Sequence, residues 1–79
     1  MTFGVKNEGI IMKPLLREYR FKRNVDQKQV AEVIGVSQQI YSLFERGKQL
    51  PRIDIAFKIA NYYGCKVDDL YEYEVIKDD

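Results

Sequence analysis

Apolar residues recur along the chain in short runs at helical spacing, separated by turn-forming residues. The run KPLLREYRFKRN sets Leu15, Leu16, Tyr19 and Phe21 among basic residues. It predicts an amphipathic helix with Pro14 in its first turn and Asn24 closing it in the left-handed conformation. Asp26 then opens a second helix. Its carboxylate can cap free amides, and Gln29, three residues on, completes a capping box. Val30, Ala31, Val33 and Ile34 form the inward face, and Gly35 interrupts it. Ser37 caps a third helix with Tyr41 and Phe44 at core spacing, and Gly47 ends it. KQLPR is a connecting loop. IDIAFKIANYYG predicts a fourth helix, with Ile55, Ile59 and Tyr62 or Tyr63 inward and Gly64 as its cap. VDDLYEY predicts a fifth, short helix from Val67 to about Tyr71. Five short helices on short connections make a compact all-α domain.

The two ends leave alternatives open. YEYEVI alternates Tyr71, Tyr73 and Val75 against Glu72 and Glu74, as a half-exposed strand does, yet Val67, Leu70, Tyr71 and Val75 also share a helical face. Phe3, Val5, Ile10 and Met12 allow a hairpin or a disordered tail. The expected division is an arm or hairpin over residues 1–12, a helical domain over 13–71 and a strand or tail over 72–79. A small β element from residues 3–12 and 71–76 is compatible with it.

The second and third helices are spaced for a helix-turn-helix. Ala31 lies four residues after Gln27 and is small enough for close crossing. Gly35 permits the positive φ of a tight turn. Val36, Tyr41 and Phe44 pin the third helix to the core. This leaves Gln38, Gln39, Ser42, Leu43 and Arg46 on a face the core does not use. A helix in a DNA major groove reads bases with residues near its N-terminus. Glutamine presents a donor and an acceptor together, which matches adenine N6 and N7.

Composition narrows the chemistry. The 79 residues include no histidine and one cysteine, Cys65, so neither a zinc site nor an internal disulfide can be assembled. A reducing, cytoplasmic setting fits, and Cys65 reads as a small apolar residue. No nucleophile–base pair or glycine-rich phosphate loop is present, so no enzymatic function and no cofactor is expected. No apolar run is long enough to span a bilayer, and the first residues lack the apolar region of a signal peptide. The net charge of +1 hides a division. Residues 13–52 hold nine Lys or Arg against four acids, and residues 53–79 hold three against seven, or +5 and −4. A basic first half suggests a surface facing a polyanion.

The run DQKQVAEVIGVSQQIYSLFERGKQLP, with AFKIANYYGCKVDDL after it, resembles the Cro and phage-repressor family, the XRE-type helix-turn-helix regulators. The resemblance covers Pro14 to Leu70. Asp26 and Gln27 stand where the family opens its second helix with Thr or Ser and then Gln. Glu45, Arg46 and Gly47 match its usual end of the recognition helix. Several lambdoid repressors carry Gln-Gln, or Gln with Ser, at the positions of Gln38 and Gln39. The resemblance implies a lambda-repressor-like domain that binds double-stranded DNA. Gln38, Gln39, Ser42 and Leu43 would face base edges. Gln27 would touch a phosphate and brace the first recognition-helix residue. Lys28, Ser37, Arg46, Lys48 and Arg52 would join it along the phosphates. Arg20 and Glu45 fall where the family pairs an arginine of the first helix with a glutamate of the third, a structural role.

Three features depart from the family pattern. Tyr41 replaces the usual β-branched aliphatic, so the core is larger there or the ring tips outward. Leu43 replaces a polar or small residue; it can only pack on a thymine methyl. The near-neutral total charge is low for a DNA binder. The competing expectation is a protein-interaction module of the same fold, such as an antitoxin or a partner of another regulator. An exposed Ile40–Leu43 pair would favour it, whereas Gln38, Gln39, Arg46 and Lys48 favour DNA. One recognition helix covers few base pairs, so a homodimer is expected, with Leu70, Tyr71, Tyr73 and Val75 at the contact.

Overall fold

The computed structural model describes residues 9–76. Strand β1 (Gly9–Pro14) leads into helices α1 (Leu16–Arg23), α2 (Gln27–Ile34), α3 (Gln38–Glu45) and α4 (Ile53–Tyr63). One turn of 3₁₀ helix (Val67–Leu70) and strand β2 (Tyr71–Ile76) complete it. The fold is therefore four α-helices and a two-stranded antiparallel ribbon, not five helices. The expected fifth helix stops after four residues because the alternating YEYEVI run leaves it to pair with β1. The strand alternative at the C-terminal end is the one adopted, while Phe3 and Val5 lie outside the described residues.

Local chemistry sets the helix boundaries. Asp26 accepts from the Gln29 amide at 2.8 Å, and the Gln29 side chain accepts from the Asp26 amide at 2.9 Å. Ser37 Oγ accepts from the Ile40 amide at 3.1 Å. Asn24 ends α1 and Gly64 ends α4 in the left-handed conformation. The first helix starts later than its sequence pattern implies. Pro14 closes β1 rather than opening α1, and its ring meets Gly47, where a Cβ would lie 3.4 Å from the proline Cδ. That is an ordinary contact distance, so it is the φ of +72° that calls for glycine at Gly47. The Leu15 amide then donates to the Leu70 carbonyl at 2.8 Å and ties the start of α1 to the 3₁₀ turn.

The core joins Leu16, Val30, Ala31, Ile34, Tyr41, Phe44, Ile59, Ala60, Tyr63 and Leu70. Two residues expected inside are not. Phe21 and Val33 are each 62% exposed. Leu70, expected at a dimer contact, is wholly enclosed in the core and has no surface left for a partner. Tyr41 is also fully buried, so the ring points inward and the core is correspondingly larger. Its hydroxyl shares a 2.7 Å hydrogen bond with that of Tyr63. Burial, the Tyr63 hydrogen bond and the nearby Glu45 charge push the Tyr41 phenol far above its ordinary value. Burial chiefly raises Tyr63, to about 12. Tyr63 stacks on Tyr19 at 5.6 Å between ring centroids. Tyr41→Phe removes the hydrogen-bond partner of the buried Tyr63 hydroxyl and is expected to cost about 1–3 kcal/mol in urea unfolding. No measurable loss would mean that the bond contributes nothing net. Burial raises the Cys65 thiol, which disfavours the thiolate.

Candidate nucleic-acid interface

Helices α2 and α3 are joined by Gly35, at φ +82°, with its amide bonded to the Ala31 carbonyl at 2.9 Å. A side chain at this φ is strained, so glycine sets the crossing. Buried Ala31 removes the bulk that would hold the helices apart. The result is a helix-turn-helix that presents the first turn of α3 outward while Tyr41 and Phe44 anchor its other face.

Gln27, Gln38, Gln39, Ser42, Leu43 and Arg46 line one concave surface. Gln38, Gln39 and Arg46 are exposed on it, and Ser42 and Leu43 are half-buried. These are donor–acceptor amides, a hydroxyl, one apolar side chain and a guanidinium, a set suited to base edges beside a phosphate. Ile40 packs against the core, and Leu43 is half-buried, so the pair forms no exposed apolar knob.

An ion pair behind this surface holds Gln27 in place. Glu45 is buried, and Arg20 grips it with Nε to Oε2 at 2.6 Å and Nη2 to Oε1 at 3.2 Å. Gln27 Nε2 donates to Glu45 Oε1 at 2.9 Å. Arg20 also donates to the Val25 carbonyl at 3.2 Å, which fixes the loop into α2. Burial alone pushes the Glu45 carboxyl up; the hydrogen bonds from Arg20 and Gln27 and the Arg20 charge outweigh it and hold the group below the usual carboxylate range. The bond to Glu45 correspondingly raises Arg20. The partner of Gln27 is thus the end of α3, rather than the first recognition-helix residue that the resemblance assigned to it.

The flanking cations differ. Arg46 and Lys48 are exposed at the end of α3. Arg52 pairs with Asp54 at 3.0 Å, which offsets part of its charge. Lys28 is exposed on α2, and Ser37 is occupied as the α3 cap. Arg17 was not among the sequence candidates. It lies 4.0 Å from Glu45, is mostly exposed, and adds a cation beside Gln27. Its signal was its position one helical turn before Arg20, on the same face of α1.

Comparison with known proteins agrees with this geometry. The helix-turn-helix family profile matches residues 16–70. An uncharacterized HTH-type transcriptional regulator of Methanocaldococcus jannaschii is 41% identical over 63 residues, covering 80% of this chain and 96% of that protein. The cryptic phage CTXphi transcriptional repressor RstR of Vibrio cholerae is 34% identical over 55 residues, covering 70% of this chain and 50% of its own. The crystal structure of the clp gene regulator ClgR from Corynebacterium glutamicum superposes with a TM-score of 0.65 at 27% identity, over 70% of this chain and 58% of that one. The fold and the outward face of α3 define a DNA-binding transcription regulator. The chain belongs to the helix-turn-helix family, XRE type. No helix among the described residues is long and apolar enough to cross a membrane.

Proposed function

We propose that the chain is a cytoplasmic transcriptional repressor that binds a palindromic operator as a dimer, with α3 in the major groove. The observation that carries this is the single concave surface shared by Gln27, Gln38, Gln39, Ser42, Leu43 and Arg46. Gln38 and Gln39 read base edges, Leu43 packs on a thymine methyl, and Ser42 supplies a short polar contact. Arg46 and Lys48, with Gln27, Lys28, Ser37, Arg17 and Arg52 around them, hold the phosphates. Repression follows from occupancy: a protein seated on promoter DNA blocks polymerase without a further domain. The resemblance to a named phage repressor supports that direction of regulation. The test is a gel shift with duplex DNA from upstream of its own gene against a scrambled duplex. A retarded band on the first alone is expected; equal shifts on both would overturn the reading.

The cations give a separate expectation. Replacing Arg46 or Lys48 by alanine is expected to weaken binding to every sequence and to lower the salt slope by about 1. A salt titration monitored by anisotropy measures it, and an unchanged slope would remove the residue from the phosphate contacts.

A further inference from the structure

The ribbon of β1 and β2 is exposed along most of its length, and only Pro14 and Tyr71, at its base, are half-buried. Its register pairs Ile10 with Val75, Met12 with Tyr73 and Pro14 with Tyr71, so these residues share one face. The other face carries Ile11, Lys13, Glu72, Glu74 and Ile76, with Lys13 and Glu72 3.9 Å apart. Every charge of the described ribbon is therefore on one side. The uncharged side runs into Leu50 and Ile53, around a groove of about 430 Å³ whose one charged lining residue is Asp68.

Six large apolar side chains are exposed here: Ile10, Met12, Leu50, Ile53, Tyr73 and Val75, each between 37% and 67%. At about 200 Å² per large side chain, they leave roughly 600 Å² of apolar surface in water. That is the upper end of the largest patch on a typical monomer. Two such faces together bury about 1,200 Å², the lower bound for a stable, specific interface. An isolated two-stranded ribbon is marginal in water, so its cover matters to the ribbon itself.

We infer that this face is covered by the same face of a second copy of the chain, related by a two-fold axis. The patch chemistry selects the occupant. Across a two-fold axis a surface meets itself, and a ribbon face without charge does so without repulsion. A basic partner is disfavoured because Glu72 and Glu74 lie on the other face of the ribbon, which leaves Asp68 as the one acid lining the groove. No residue is shared with the concave surface on α3, so both recognition helices stay free. Leu50 follows Lys48 by two residues, so the contact sits beside the phosphate-binding loop and sets the two copies relative to one another. The inference deepens the dimer of the proposed repressor and rests on that reading only for the use made of the dimer.

Sedimentation equilibrium of the full chain without DNA tests it. A dimer at tens of micromolar is expected. Tyr73→Lys and Ile53→Glu are each expected to raise the dimer dissociation constant at least about 100-fold, because each sets a charge in an apolar contact. Ile11→Lys, on the far face, is expected to leave it unchanged. Circular dichroism checks that the helices persist; if Tyr73→Lys loosens the ribbon, Leu50→Lys in the loop decides instead. A monomeric full chain, a dimer that survives the charged variants, or equal dissociation by Ile11→Lys overturns the inference. Anisotropy with duplexes selected by the protein from a random pool separates the two readings. A dimer without sequence preference overturns the operator reading alone, and a monomer that selects a sequence overturns this interface alone.

Discussion

Replacing Glu45 by alanine is expected to cost about 3–5 kcal/mol, because it leaves the Arg20 guanidinium buried without its counter-charge. Arg20 has a side chain only 13% exposed, and its partner carboxylate is fully enclosed. For a domain of this length the total stability is about 4–12 kcal/mol, so the variant is expected to be largely unfolded at the lower bound. Arg20→Ala is expected to cost a similar amount, and the double variant less than the sum. Urea unfolding of the four proteins measures the cycle; strictly additive losses would refute the coupling. The pH dependence follows in sign. The folded carboxyl is held below its unfolded value, so its stabilising contribution is full above the ordinary glutamate pKa of about 4.3 and is lost as pH falls through the lower, folded one. Glu45→Gln is expected to remove that part of the acid limb. Glu45 also anchors Gln27, so Glu45→Ala, which removes the acceptor, is expected to loosen the wall of the concave surface.

The second large effect concerns recognition. Gln38→Ala and Gln39→Ala are each expected to weaken binding to a preferred duplex by about 1–3 kcal/mol, with binding to a scrambled duplex nearly unchanged. Both side chains are exposed in the first turn of α3, and no hydrogen bond within the protein holds either amide among the described residues. Their removal therefore leaves the fold intact and takes away only donor–acceptor groups. Fluorescence anisotropy on the two duplexes reads the difference. Equal losses on both would assign the glutamines to general attraction rather than to base edges.

Features written in a few consecutive residues were legible. The Asp26–Gln29 capping box, the Ser37 cap, the Gly35 turn and the Asn24 and Gly64 terminations each depend on residues no more than four apart. The grouping of Gln38, Gln39, Ser42 and Leu43 was legible for the same reason, since one short helix places all four. Phe21 and Val33 were not, because apolar character was read as inward direction. At about 100° per residue, Phe21 lies about 140° around α1 from Leu16, and Val33 lies about 100° from the centre of the arc held by Val30, Ala31 and Ile34. A helix of eight residues makes only about two turns, so each apolar position has at most two neighbours on its own face to correct the reading. The ribbon shows the complementary limit. YEYEVI is equally strand and helix by itself, and only Gly9–Pro14, from the other end of the chain, makes it a strand. Leu70 was misplaced by the same lack: its enclosure depends on helices distant in sequence. The bond of Gln27 to Glu45 likewise spans two helices and leaves no local trace.

The pairing of Gly9 with Ile76 has a kinetic side. The ribbon closes the largest loop in the described chain, and closing it costs entropy that its own few hydrogen bonds repay poorly. Helices α1 to α4 close shorter loops than the ribbon does and bring the strands together as they pack. The Leu15–Leu70 bond then lies at the base of the ribbon. Strand pairing is thus expected late in folding and its loss early in unfolding, a zipper whose first tooth is set by the helical domain.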